Sequence, residues 1–229
     1  MKFLLTNDDG IYAPGLQALE AFAKELGEVV VVAPDGPRSG FSHCATMYES
    51  MELKQVGGNH YACSGTPVDC VRLGLTHLEL KPDWILSGVN AGANLGVDLF
   101  MSGTAGAARE AAILGVPAIA FSHYHRTGAE IDWQAAASAC ERFFGEFHTK
   151  LLAKGEFWNV NFPDSEFLTA RQVDLVEAKP DPSPLTLEYL ERDGKLQYKS
   201  HYHQRQRIDF SDVHQCLSGA ITVSRIPLF

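Results

Sequence analysis

The stretch Met1-Lys2-Phe3-Leu4-Leu5-Thr6-Asn7-Asp8-Asp9-Gly10-Ile11-Tyr12-Ala13-Pro14-Gly15 decides how the rest of the chain is read. A short apolar run stops at Asn7, Asp8 and Asp9, and Gly10 turns the chain. Pro14 then opens a segment in which Leu16, Leu19, Phe22, Ala23 and Leu26 recur at helical spacing. The pattern is a buried strand, an acidic loop and a helix. In an open α/β sheet the loop leaving the carboxyl end of a strand borders the ligand crevice, so paired carboxylates there stand where chemistry is usually done. Adjacent like charges repel unless something positive lies near, and a hard divalent cation such as Mg²⁺ or Mn²⁺ meets that need. The competing reading is that Asp8 and Asp9 cap the following helix, a task one such residue would serve.

The same rhythm continues downstream. Residues 28–34 form a β-branched run that predicts a second parallel strand, followed by a polar, Gly-containing loop over residues 35–43. Residues 45–62 read as an extended hairpin turning at Gly57-Gly58-Asn59. Thr66, Pro67 and Asp69 mark a helix start, and Val68, Val71, Leu75 and Leu78 give that helix its buried stripe. A third strand over residues 82–88 runs into a long polar segment, residues 89–99. Ser102-Gly103-Thr104 then opens an Ala-rich helix over residues 105–114, where exposed N–H groups and the helix dipole suit a phosphate. A fourth strand at residues 118–122, a helix capped by Asp132 and running to about Phe147, and a closing strand at residues 157–163 complete the alternation. The fold class that follows is α/β: a Rossmann-like, doubly wound, mainly parallel sheet.

Beyond Pro163 the composition changes. Residues 185–190 and 195–199 flank Arg192-Asp193-Gly194, which predicts a β-hairpin arm of the kind that serves homo-oligomerisation, as a dimer or a tetramer. His201, His203 and His214 lack metal-site spacing and read as surface histidines. Residues 1–162 are expected to form the α/β catalytic core. Residues 163–229 supply the arm and a segment returning to that core within the same domain.

At 229 residues the chain can bury a sizeable core. Its formal charge of -9 argues against a nucleic-acid coat, which needs clustered Lys and Arg, but admits small phosphates because a bound metal can invert the local field. The five scattered cysteines, 44, 63, 70, 140 and 216, include no C-x-x-C pair and read as reduced residues of a cytoplasmic protein. No apolar run approaches the roughly 20 residues of a membrane span.

Taken in order, Thr6-Asn7-Asp8-Asp9-Gly10, the loop from Ala33-Pro34 to Arg38-Ser39-Gly40, Gly65-Thr66-Pro67-Val68-Asp69-Cys70, Ser87-Gly88-Val89-Asn90-Ala91-Gly92-Ala93-Asn94-Leu95-Gly96 and Ser102-Gly103-Thr104 closely resemble the SurE (survival protein E) family. That family comprises metal-dependent phosphomonoesterases acting as 5′/3′-nucleotidases. The resemblance spans roughly residues 1–122. It implies that Asp8, Asp9, Ser39 and Asn90 bind one divalent cation per subunit, and that Asn94, Ser102, Gly103 and Thr104 hold the phosphate of a nucleoside monophosphate. An all-oxygen ligand set suits Mg²⁺ or Mn²⁺ and not zinc. The chain departs from the family at Met101, where Tyr is usual, and at Ala105, where Val is usual. The family's carboxyl-terminal pattern is only faintly echoed in residues 209–213 and 221–227.

The expected chemistry is metal-assisted attack of water on a phosphate monoester, with Asp8 or Asp9 taking the proton. A phosphorylated Asp8 ranks lower, because the adjacent Asp8-Asp9 departs from the Asp-x-Asp-x-Thr spacing of aspartyl-phosphate enzymes. Outside enzymes, the alternative is a nucleotide-binding or regulatory module that has lost turnover. A dinucleotide dehydrogenase is disfavoured, since no G-x-G-x-x-G follows the first strand.

Overall fold

Runs rich in Val, Ile and Leu form strands, and helices with one apolar stripe close over both faces of the sheet they make. The structure, a computed structural model, describes residues 1–169, 173–199 and 202–228, so His201 lies outside the described residues. The first half of the chain comprises β1 (Lys2–Thr6), α1 (Pro14–Lys24), β2 (Glu28–Pro34), β3 (Leu53–Gly57), β4 (His60–Cys63), α2 (Pro67–Thr76), β5 (Trp84–Ala91) and α3 (Gly103–Ile113). Then follow β6 (Ala118–His123), α4 (Trp133–Phe147), β7 (Glu156–Phe162), the short α5 (Ser165–Leu168), β8 (Leu175–Glu177), β9 (Glu188–Arg192), β10 (Lys195–Lys199), α6 (Asp212–Leu217) and β11 (Ile221–Pro227).

One nine-stranded sheet has the order β3-β4-β2-β1-β5-β6-β7-β11-β8. The six strands from β4 to β7 run parallel, whereas β3 and β11 run antiparallel to β4 and β7. From β1 the chain steps outward to β2 on one side and later returns to β5 on the other. The topological switch point therefore falls between β1 and β5, where α/β proteins place their ligands.

Strand alternation sorts the core into two layers. Phe3 and Leu5 of β1 pack with Leu16, Leu19 and Phe22 of α1 and Phe143 and Phe144 of α4. Leu4 faces the opposite layer, with Cys70 and Val71 of α2 and Ala105 and Ala108 of α3. Phe144 meets Phe3, Phe22 and Trp84 edge-on at 5.7–5.8 Å between ring centroids. Burying a side chain of that size stabilises by about 1.5–3 kcal/mol, so this one ring ties α1 and α4 to β1 and β5. On the other layer the alanines of α3 let it lie close to the sheet, carrying its first turn up to the end of β1.

The helix starts follow the sequence signals. Thr66 accepts from the Asp69 N–H while Asp69 accepts from the Thr66 N–H, a reciprocal cap behind Pro67. Asp132 accepts from Gln134 and Ala135 N–H groups at the start of α4. The arm is a separate two-stranded sheet in which Arg192 pairs with Lys195. Asp193 and Gly194 between them have φ of 52° and 71°, the doubly positive conformation of a two-residue hairpin turn. Three expectations shift. β7 does not close the sheet, because β11 and β8 lie outside it. α2 ends at Thr76, before Leu78. α3 begins at Gly103 with Ser102 as its cap, two residues earlier than the alanine run suggested.

Candidate active site

Asn7 makes the turn that follows β1. Its Nδ2 donates to Gly10 O at 2.9 Å, and Gly10 N–H donates back to Asn7 Oδ1 at 3.2 Å. Gly10 has φ 105° and would place a Cβ only 3.2 Å from Gly36 C, so both its conformation and its neighbour exclude a side chain. The cap of α1 is Ala13, with no side-chain hydrogen bond. Asp8 and Asp9 therefore do not cap that helix, and their carboxylates face the end of the sheet.

Asp8 is buried, and its Oδ1 accepts the hydroxyl of Thr104 in the first turn of α3. Its main-chain oxygen accepts Arg38 N–H at 2.7 Å, which brings the loop after β2, with Ser39 at the next position, alongside. Gly103 explains how α3 comes so close, because a Cβ there would sit 2.9 Å from Asp8 Cβ. Burial pushes the Asp8 carboxyl up to about 6; Thr104 pulls it down and neighbouring Asp9 pushes it up again. Asp9 is more open. Its Oδ2 accepts Ala91 N–H at 3.1 Å from the end of β5, and burial raises it as well.

Two carboxylates held out of water with raised proton affinity are a site short of positive charge. Among the described residues no three His, Cys, Asp or Glu side chains cluster to hold a metal, so any cation here must also draw on neutral oxygens. Asn90 and Ser39 are the candidates for that. Asn90 Nδ2 donates to Gly92 O at 2.7 Å, which fixes the amide and leaves Oδ1 as its offered atom. Ser39 is exposed, so its hydroxyl faces solvent and can turn toward a cation. The donor chemistry thus fits a hard cation with oxygen ligands.

The expected phosphate residues divide. Ser102 Oγ accepts Ala105 N–H at 2.9 Å and keeps its own O–H to donate. Thr104 has its hydroxyl committed to Asp8, leaving only main-chain donation toward a phosphate. Asn94 lies in a different network: its Nδ2 donates to Ser122 Oγ at 2.7 Å, and its N–H donates to Asn161 Oδ1 at 2.8 Å. Its oxygen accepts from both Asn159 and Asn161 of β7. Among the described residues no hydrogen bond joins Asn94 to the Asp8 group.

Several supporting residues escaped the sequence reading. Asn159 and Asn161 share one face of β7 in a run that is otherwise apolar. That alternation of a strong hydrogen-bonding group inside a buried strand was a usable signal. Asp98, just ahead of Ser102, accepts from Tyr202 at 2.8 Å and from Arg205 Nη1 at 2.7 Å, with Arg205 itself only 3% exposed. Asp212 of α6 accepts Gly96 N–H at 2.8 Å. These contacts come from the carboxyl-terminal third and hold the loop between β5 and α3 from behind. His203 is exposed, as expected, and also bonds the Tyr124 hydroxyl.

The profile of the family described as Survival protein SurE matches residues 3–179. The chain belongs to the SurE family. A Synechocystis protein provisionally named a 5′-nucleotidase is 40% identical over 226 residues, covering 99% of each chain. The 5′-nucleotidase SurE of Citrifermentans bemidjiense is 45% identical over 165 residues, which are 72% of this chain and 66% of that one. The crystal structure of the SurE protein from Aquifex aeolicus superposes with a TM-score of 0.84 at 32% identity, covering 100% of this chain and 94% of that chain. The SurE profile stops near β8, yet the Synechocystis relative matches through the carboxyl-terminal segment. Among the described residues, no helix is long and apolar enough to cross a membrane.

Proposed function

We propose that this SurE-family chain is a phosphomonoesterase, dependent on one Mg²⁺ or Mn²⁺ per subunit, that hydrolyses nucleoside 5′- or 3′-monophosphates to nucleoside and phosphate. The observation that carries the proposal is the bond between Asp8 and Thr104, which joins the carboxylate pair to the amino end of α3. The names of the SurE relatives support the 5′ position. A cation held by Asp8, Asp9, Ser39 and Asn90 would polarise phosphoryl oxygens and lower the pKa of water. Asp8, buried and anchored by Thr104, acts as a fixed charge. Asp9, more open and held through one oxygen by Ala91 N–H, is placed to take the proton of the attacking water. The Ser102 hydroxyl and the Gly103 and Thr104 N–H groups meet the equatorial phosphoryl oxygens, where the helix dipole favours developing negative charge. Asn94 helps to hold the phosphate, with its backbone fixed by Asn159 and Asn161.

The arm supports a second element of the proposal, homo-oligomerisation. Leu187, Tyr189, Leu196 and Tyr198 are all exposed on β9, β10 and the residue before them, an apolar display that a second copy would cover. Five free cysteines, four of them buried, support a cytoplasmic location. Phosphate release from a panel of 5′- and 3′-monophosphates, with Mg²⁺, with Mn²⁺ or with chelator, tests the activity. Release should require metal and collapse in Asp8→Asn and Asp9→Asn. A folded protein that binds nucleotide under every metal without releasing phosphate would instead be the regulatory module.

A further inference from the structure

We infer that Glu110 and His43 are positioning residues that hold the Ser39 loop against the carboxylate pair, an inference that rests on Ser39 being a cation ligand. From residue 35 to residue 52 the chain forms no helix or strand, yet Arg38 N–H reaches Asp8 O and so sets Ser39 beside the carboxylate pair. Something outside the loop must therefore set its position. Beside the bond from Arg38 N–H to Asp8 O, one face of α3 does so. Gly103, Gly106 and Glu110 stand three and seven residues apart, in line along the helix. Each meets a successive part of the site. A Cβ on Gly103 would sit 2.9 Å from Asp8 Cβ, and one on Gly106 would sit 2.4 Å from Ser42 O. Glu110 accepts from His43 Nε2 at 2.7 Å through Oε2 and from Arg72 Nε at 2.6 Å through Oε1.

Glu110 is 3% exposed, in a helix whose other buried positions are filled by alanine, glycine and threonine. A carboxylate in that setting is tolerated only when both oxygens are paired. Arg72 neutralises it from α2, so the second oxygen is free to fix the loop through the His43 N–H. Two further attachments flank this one. Ser42 donates from N to Met101 O at 3.1 Å and from its hydroxyl to Phe100 O, with Ser42 itself at φ 55°. Thr66 Oγ1 donates to Cys44 O at 2.6 Å. The same helix that touches Asp8 therefore holds the loop at Ser42 and His43, just beyond Ser39.

The variant His43→Ala removes the link from a partly exposed loop without opening the core, and Glu110→Gln keeps the shape and an acceptor for His43. Mn²⁺ affinity is read by calorimetric titration, and loop order by amide exchange of residues 39–44 in the metal-free protein. His43→Ala should weaken Mn²⁺ by about tenfold, as loss of an outer-shell partner does, and speed exchange in the loop by about as much. KM for the nucleotide at saturating Mn²⁺ should stay within about twofold, and Glu110→Gln should fall between wild type and His43→Ala. Unchanged Mn²⁺ affinity and unchanged exchange in His43→Ala overturn the inference. If the wild type binds no Mn²⁺, the metal proposal fails, and the exchange measurement alone decides whether Glu110 and His43 order the loop.

Discussion

The two halves of the candidate site are built differently. On the side of β1, β2 and β5, the side chains of Asp8, Asp9, Asn90 and Ser102 are the groups proposed to do the chemistry. On the side of β6, β7 and the carboxyl-terminal segment, side chains hold the loop between β5 and α3, mostly through its main chain. Asn159 and Asn161 hold the backbone of Asn94, Asp212 holds that of Gly96, and Arg205 holds Asp98. The first half pays in stability for function, because its buried like charges gain nothing from each other. The second half supplies stability to a loop that needs to stay in place.

That contrast can be broken at three points. The largest effect is expected at Asp8. Asp8→Asn should lower kcat by about 10³-fold, comparable to losing a preorganised electrostatic contact in other enzymes. The same variant should make the metal-free protein more stable at pH 7.5. The sign follows from proton affinity: a carboxyl near 6 in the folded state and 3.8 in the unfolded state costs nothing below pH 3.8. The cost grows as pH rises toward 6 and is full above it, about 2–3 kcal/mol. Urea melts of metal-free wild type and Asp8→Asn at pH 4 and pH 7.5 check this, the variant's advantage appearing only at the higher pH.

On the supporting half the signs reverse. Arg205→Ala strands Asp98 without its guanidinium and should destabilise by about 3–5 kcal/mol, with no gain at any pH. Pairing it with Asp98→Asn should recover part of that loss in the same melt. A smaller effect is expected for Asn161→Ala, which leaves the Asn94 N–H unmatched and should cost about 1–3 kcal/mol while raising KM for the nucleotide. If Asn161→Ala left both stability and KM unchanged, Asn94 would not depend on β7.

The same contrast explains what could be read without a structure. Strands, helices, caps and the hairpin turn were legible because their signals are local: Thr66-Pro67-Val68-Asp69, Asp132 and Asp193-Gly194 each specify a backbone conformation within a few residues. The placement of Asp8 and Asp9 at a strand end and of Ser102-Gly103-Thr104 at a helix start was legible for a related reason, since polar and small residues gather there. Asn159, Asn161, Arg205 and Asp212 were not. Their partners lie 65, 67, 107 and 116 residues away, and a side chain that serves a distant carbonyl, N–H or carboxylate leaves no spacing rule behind. β8 was hidden likewise, and β11 was legible only as a segment returning to the core, because it pairs backward with β7 across the arm.

The most direct test of the central claim is proton release on Mn²⁺ binding, measured by titration in buffers of differing ionisation enthalpy at pH 6 and pH 8. A cation that takes Asp8 as a ligand must displace its proton. With that carboxyl near 6, about half a proton should leave per Mn²⁺ at pH 6 and almost none at pH 8. Binding without proton release at pH 6, or no binding at either pH, would contradict the assignment of Asp8 to a metal site.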